Sequence, residues 1–110
     1  MVDGLRYERR LKRKLEKEGF LVVRSAGSFA MDLMVVKDGK CSVFEVKSTK
    51  QDVFYLDKRT KQQVKDLLKM RKFGVIPYLA VYFKRNNWKL IELNDIPRKI
   101  TKNAEVSKKP

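Results

Sequence analysis

The chain has 110 residues, no histidine, one cysteine and a formal charge of +14, from 27 Lys and Arg against 13 Asp and Glu. That length fits one domain, and the lack of histidine excludes Ser-His-Asp and Cys-His catalysis, imidazole zinc sites and nucleases that use a histidine base or a phosphohistidine. Hydrolysis would have to rest on carboxylates holding hard cations such as Mg²⁺ or Mn²⁺, with lysine in support, while the surplus positive charge points to a polyanion, nucleic acid ahead of a membrane surface.

The opening segment, Met1 to Arg10, is charged and runs into a polar helical pattern, so we expect no signal peptide. No apolar run approaches the length of a membrane span. Cys41 alone can form neither an intrachain disulfide nor a thiolate zinc cluster, and an intracellular, reducing compartment is the expected location. Gly4 to Glu18 is rich in good helix formers and ends at Gly19, a suitable C-cap, which predicts a first helix. Leu5, Glu8, Leu11 and Leu15 fall on one arc of roughly 120°. Glu8 therefore lies inside the apolar stripe, where a lone carboxylate is expensive to bury. It needs either a neighbouring arginine or a site shared with other acids. Arg6, Arg9, Arg10, Lys12, Arg13, Lys14 and Lys17 cover the remaining faces, a candidate phosphate-contacting surface.

Phe20 to Arg24 predicts a short buried strand, followed by the small-residue loop Ser25-Ala26-Gly27-Ser28. Gly27 permits close backbone approach, and Ser and Arg can bind phosphate oxygens. Two runs of β-branched and aromatic residues come next, Ser28 to Val36 and Cys41 to Lys47, separated by Lys37-Asp38-Gly39-Lys40. The Asp-Gly step is a strong hairpin signal. Three charges sit in this hairpin where strands seldom recruit them. Asp32 opens the first run; Glu45 and Lys47 close the second, on one face, with Val46 opposite. Two acids on adjacent strands can share a divalent cation with help from a backbone carbonyl, for which Val46 is the candidate. Such an ion lowers the pKa of a bound water and stabilises charge on a phosphate. Lys47 can orient the nucleophile or neutralise the developing charge. The pattern points to metal-dependent phosphodiester hydrolysis; the alternative is a cross-strand salt bridge between an acid and Lys47.

Ser48 to Arg59 reads as a polar connection. Its Lys50, Lys58 and Arg59 suit a strand-to-helix loop beside the site, placed to grip a nucleic-acid backbone. A second helix is predicted from Asp57 or Thr60 to Lys72, with Val64, Leu67, Leu68 and Phe73 as its apolar contacts and Gly74 as its cap. Ile76 to Phe83 and Asn87 to Leu93 predict a second hairpin around Arg85-Asn86-Asn87. Trp88 is either a packing residue or a base-stacking one. Beyond Ile96 periodicity is lost, so residues 1–96 are expected to form the functional domain and 97–110 a flexible basic tail.

Taken together, Glu8-Arg9, Gly19-Phe20 with Val22 to Ser28, Asp32-Leu33 and Glu45-Val46-Lys47 resemble the archaeal Holliday-junction resolvases, within the restriction-endonuclease-like nucleases. The likeness continues through Tyr55 to Arg59 and at Ile76-Pro77 with Leu79-Ala80-Val81. It implies an α/β fold with a restriction-endonuclease-like core, a mixed central sheet of about five strands with helices on its faces. It further implies that Asp32 and Glu45 hold the metal, that Lys47 is catalytic and Glu8 an additional catalytic acid, and that Arg9, Arg24, Ser25 and Ser28 contact DNA. A homodimer that binds four-way DNA junctions and nicks two opposing strands would follow. The chain departs from the resembled pattern at Phe29-Ala30, where basic residues are common, and at Tyr82, where a lysine commonly stands. A junction-binding protein without chemistry and a sequence-specific duplex nuclease are the competing readings. The intact set Glu8, Asp32, Glu45 and Lys47 favours an enzyme over the first, and the lack of a base-reading helix counts against the second.

Overall fold

The computed structural model describes residues 2–25 and 31–104 of the chain. Helix α1 spans Val2–Lys17 and stops where Gly19 adopts a left-handed φ of 94°. Lys37 Nζ donates to the Glu18 carbonyl at 3.1 Å, satisfying one of the acceptors that a helix end leaves open. Strands β1 (Leu21–Arg24), β2 (Leu33–Lys37) and β3 (Lys40–Ser48) follow as an antiparallel meander. The β2–β3 turn has positive φ at both central residues, 52° at Asp38 and 76° at Gly39. This backbone twists in step with paired strands, and Asp-Gly adopts it with little strain.

After β3 come β4 (Val53–Tyr55), α2 (Lys58–Leu68), a 3₁₀ turn over Lys69–Phe73, β5 (Ile76–Phe83), β6 (Asn87–Glu92) and β7 (Lys99–Thr101). β5 runs parallel to β3 and antiparallel to β6, which completes a five-stranded mixed sheet in the order β1-β2-β3-β5-β6. Parallel neighbours need a long crossover, and α2 lies within it. β4 and β7 pair separately as a two-stranded antiparallel ribbon. The expected α/β architecture, a five-stranded mixed sheet with helices on its faces, is present.

Strand alternation sorts the core into two halves. On one face Val22, Leu33, Val35, Phe44, Val46, Tyr78, Ala80 and Leu90 pack with Leu11 and Leu15 of α1. On the other, Val43, Leu79, Val81 and Phe83 pack with Val64 and Leu67 of α2, joined by Leu56, Leu93 and Ile100. β3 and β5 are covered on both sides, which is why their sequences read as nearly unbroken apolar runs.

Three segments differ from the sequence expectation. The polar connection contains β4, whose three residues Val53-Phe54-Tyr55 are too few to show a period. The tail expected over 97–110 does not start at 97, because Lys99–Thr101 pair with β4 and Ile100 is buried against the α2-side core. A three-residue strand with one inward side chain leaves no readable repeat; residues 105–110 lie outside the described residues. Phe73, expected beneath α2, is 73% exposed. The helix tightens to 3₁₀ after Leu68, which turns later positions off the 3.6-residue stripe.

Leu11 and Leu15 are fully buried, so Leu11→Ala or Leu15→Ala should each lower the unfolding free energy by about 2–5 kcal/mol. Denaturant midpoints at unchanged m-value check this. A loss below about 1 kcal/mol would contradict the role of α1 in closing the core.

Candidate active site

Beyond the Leu33↔Phe44 pair β2 ends, while β3 runs on to Ser48. Asp32 stands at this break. Its N–H donates to the Phe44 carbonyl at 2.8 Å, and its Oδ2 accepts the Val46 N–H at 2.7 Å. The side chain thereby continues the ladder where the backbone stops, and its carboxylate is fixed against β3. Glu45 lies on β3 nearby, 4% exposed, within reach of the Asp32 charge. Burial pushes the Glu45 carboxyl up from 4.5 to about 8; the Asp32 charge adds to the rise and Lys47 opposes it. Lys47 Nζ lies 3.4 Å from Glu45 Oε2. Glu45 and Lys47 project from the α2 side of β3, in register with Leu79 and Val81 of β5.

Glu8 approaches from the α1 side. Its Oε1 is 3.5 Å from Arg24 Nε, an ion pair longer than a good hydrogen bond, and that Nε is buried without a hydrogen-bond partner among the described residues. Burial raises the Glu8 pKa, the Asp32 charge adds to this, and Arg24 opposes it. Among the described residues no three acids, cysteines or histidines gather as a metal cluster. Glu8 thus feels Asp32 electrostatically while its direct partner is Arg24.

Ser25 N–H donates to the Asp32 carbonyl at 2.9 Å, and its Oγ is buried with no partner among the described residues. Ser28, with Phe29 and Ala30, falls outside the described residues. Arg9 is exposed on α1, Lys50 on the loop after β3, and Lys58 and Arg59 on the first turn of α2. Asp57 caps that helix, its Oδ1 accepting the Thr60 N–H at 2.8 Å, and this bond holds the Asp57 carboxyl below the usual range. The Lys47 charge also reaches Asp57, so the start of α2 belongs to the same end of the sheet as the acids.

Sequence reasoning did not connect Arg10, Tyr82 and Trp88, which meet in one cluster on the α1 side. Arg10 and Tyr82 are 72 positions apart, and the one signal was that Tyr82 departs from the resembled pattern.

The chain matches the family described as archaeal Holliday junction resolvase (Hjc) over residues 2–109. It is 43% identical over 81 residues to the crossover junction endodeoxyribonuclease Hjc of Methanocaldococcus jannaschii, a match covering 73% of this chain and 59% of that relative. The matched stretch therefore spans less than two thirds of that relative's length. Among solved structures, Archaeoglobus fulgidus Hjc, a Holliday junction resolvase from an archaeal hyperthermophile, superposes with a TM-score of 0.72 and 28% identity. That match covers 90% of this chain and 84% of the other.

The raised Glu45 pKa has a consequence for stability without divalent cations. Between about pH 4.5 and 8 the folded protein keeps a proton at Glu45 that the unfolded chain releases. The unfolded state then binds fewer protons, so this group makes stability fall as pH rises through that window. Glu45→Gln removes the titration and should stabilise the metal-free protein by about 2–4 kcal/mol at the upper end of the window, with little effect at the lower. Chemical denaturation in chelator at both ends measures the difference. Parallel pH profiles for wild type and variant would contradict the assignment.

Proposed function

The chain belongs to the archaeal Holliday junction resolvase family, and we propose that it is a metal-dependent, structure-selective endonuclease that nicks four-way DNA junctions in recombination and repair. The observation that carries this reading is the Asp32–Glu45 pair: two carboxyls pressed together on a buried strand end, with one ammonium, Lys47, at 3.4 Å from Glu45. Oxygen donors with excess negative charge fit a hard divalent cation. Asp32, Glu45 and the Val46 carbonyl would hold it, with Mg²⁺ as the ion and Mn²⁺ able to substitute. When bound, the cation supplies a water of lowered pKa and stabilises charge on the scissile phosphate.

The chain's own groups do the rest. The Val46 N–H keeps the Asp32 carboxylate from turning away. Lys47 orients the attacking water or offsets charge developing on the phosphate oxygens. Glu8 is an accessory acid, and its ion pair holds Arg24 at the rim; in this reading Arg24, Arg9, Ser25 and Ser28 bind phosphates. Lys58 and Arg59 support an anionic partner on independent grounds. They occupy the first turn of α2, which contains no acidic residue, although cations are disfavoured at the positive end of a helix dipole. A DNA phosphate beside Lys50, Lys58 and Arg59 would offset that repulsion. One copy carries one Asp32–Glu45 pair, so two opposing nicks require two copies, and the active form in this reading is a homodimer.

A labelled synthetic four-way junction incubated with Mg²⁺ should be cut by the wild type. Asp32→Ala and Glu45→Ala should lose cleavage by about 100-fold or more, at least the loss seen for groups that merely support metal ligands. Binding without cutting would instead favour a junction-binding protein without chemistry, and equal cutting of linear duplex would remove the junction selectivity. Under the same conditions sedimentation should give twice the 13.0 kDa chain mass. Arg9→Gln and Arg24→Gln should each reduce the slope of log affinity against log salt by about one.

A further inference from the structure

The polar side of α1 forms a wall as well as a surface. Arg10, Arg13, Lys14 and Lys17 line a groove of about 420 Å³ whose opposite side is Asn86 and Trp88, from the β5–β6 hairpin. Two of its lining residues, Arg10 and Trp88, are held against aromatic rings. Arg10 lies 5.5 Å from the Tyr7 ring centroid and 5.6 Å from that of Tyr82, and its Nη1 donates to Tyr82 Oη at 3.3 Å. The two tyrosine rings are 4.7 Å apart, and Trp88 meets Tyr82 edge-on at 5.1 Å. Tyr82 Oη also accepts the Asn86 N–H at 2.9 Å. This one hydroxyl therefore ties α1 to the β5–β6 turn, where Arg85 and Asn86 take positive φ of 61° and 60°.

The position of the groove follows from register. Trp88 faces Tyr82, Tyr82 faces Ser48, and Lys47 immediately precedes Ser48 on β3. The groove thus begins at the strand ends that carry the catalytic cluster, on the sheet face opposite Glu45 and Lys47, and follows α1. Its lining holds four cations against one carboxylate, Glu18, which pairs with Lys14 at 3.3 Å. Arg13 and Lys17 are exposed and form no ion pair among the described residues. Arg10 to Lys17 spans seven helical steps, about 10 Å, long enough for more than one cation to meet the phosphates of one DNA strand.

We propose that this groove is a second DNA contact, taking the sugar–phosphate backbone of a junction arm as the arm leaves the catalytic cluster. The inference rests on the junction-binding reading above and adds a surface outside the catalytic end. An arm seated here buries Trp88, the only tryptophan in the chain, which makes the groove directly observable.

The full-length protein is titrated with a fluorophore-labelled four-way junction in chelator, reading anisotropy for binding and acrylamide quenching of Trp88 for groove occupancy. Saturation should protect Trp88. Arg13→Gln/Lys17→Gln, two exposed positions that leave the Arg10–Tyr82 contact intact, should lose that protection. The same variant should lower the slope of log affinity against log salt by about two, near 0.9 per lost phosphate contact. A control pair removing the same charge elsewhere, Lys40→Gln/Lys72→Gln, should change the slope much less. A bound junction with Trp88 quenched as in the free protein would overturn the groove while leaving the proposed function standing. Protection that persists in Arg13→Gln/Lys17→Gln, or an equal slope loss in the control, would overturn it too. No anisotropy change in the wild type would remove both readings together.

Discussion

A carboxylate on the central strand of a buried sheet is the constraint that the rest of this molecule answers. Glu45 lies on β3, flanked by β2 and β5, and is almost fully enclosed. A charge in such a place is costly unless it is paired and hydrogen-bonded. Lys47 supplies one positive charge, but Asp32 adds a second carboxyl that the Val46 N–H holds in place. The pair is therefore left short of positive charge, and the Glu45 proton fills the gap in the metal-free protein. A divalent cation fills it in the proposed enzyme. Stability and proposed chemistry draw on the same unbalanced contact, as active sites commonly do.

The site also depends on the sheet having two differently used faces. Glu45 and Lys47 point to the α2 side, whereas Arg24 follows Val22 onto the α1 side, where Glu8 meets it. The two groups come together only where β2 stops short and β3 continues. α1 serves both halves: Leu11 and Leu15 close the core, Glu8 steadies Arg24, and Arg10 locks onto Tyr82. Its outer cations are left for a partner. The +14 charge is thus more than a solubility device, because part of it is mounted on rigid elements that flank the acids.

Much of this was legible residue by residue. Asp38-Gly39 specified the β2–β3 turn through its left-handed preference, the leucine spacing of α1 marked its buried stripe, and Glu45-x-Lys47 on an apolar strand marked a buried charged cluster. Glu8 stood out because it interrupts that stripe, and its partner is a neighbouring arginine, Arg24. The β4–β7 ribbon was not legible, since two three-residue strands carry too few side chains for any period. The exposure of Phe73 was not legible, because a change from α to 3₁₀ winding leaves no mark in composition. Tyr82 looked like a simple departure from a family pattern, and its hydrogen bonds run to Arg10, far away in sequence, and to the backbone of a turn.

By itself, the sequence determined the strand and helix periods, the hairpin turn, and the chemical identity of the acids, the lysine and the basic surface, because those follow from neighbouring residues and from composition. Only the tertiary structure decided which acids repel one another, which acid faces an arginine, and which cations line a common groove. Those outcomes depend on distances across strands and between helix and sheet, where burial lowers the local dielectric and turns a list of charges into unequal partners.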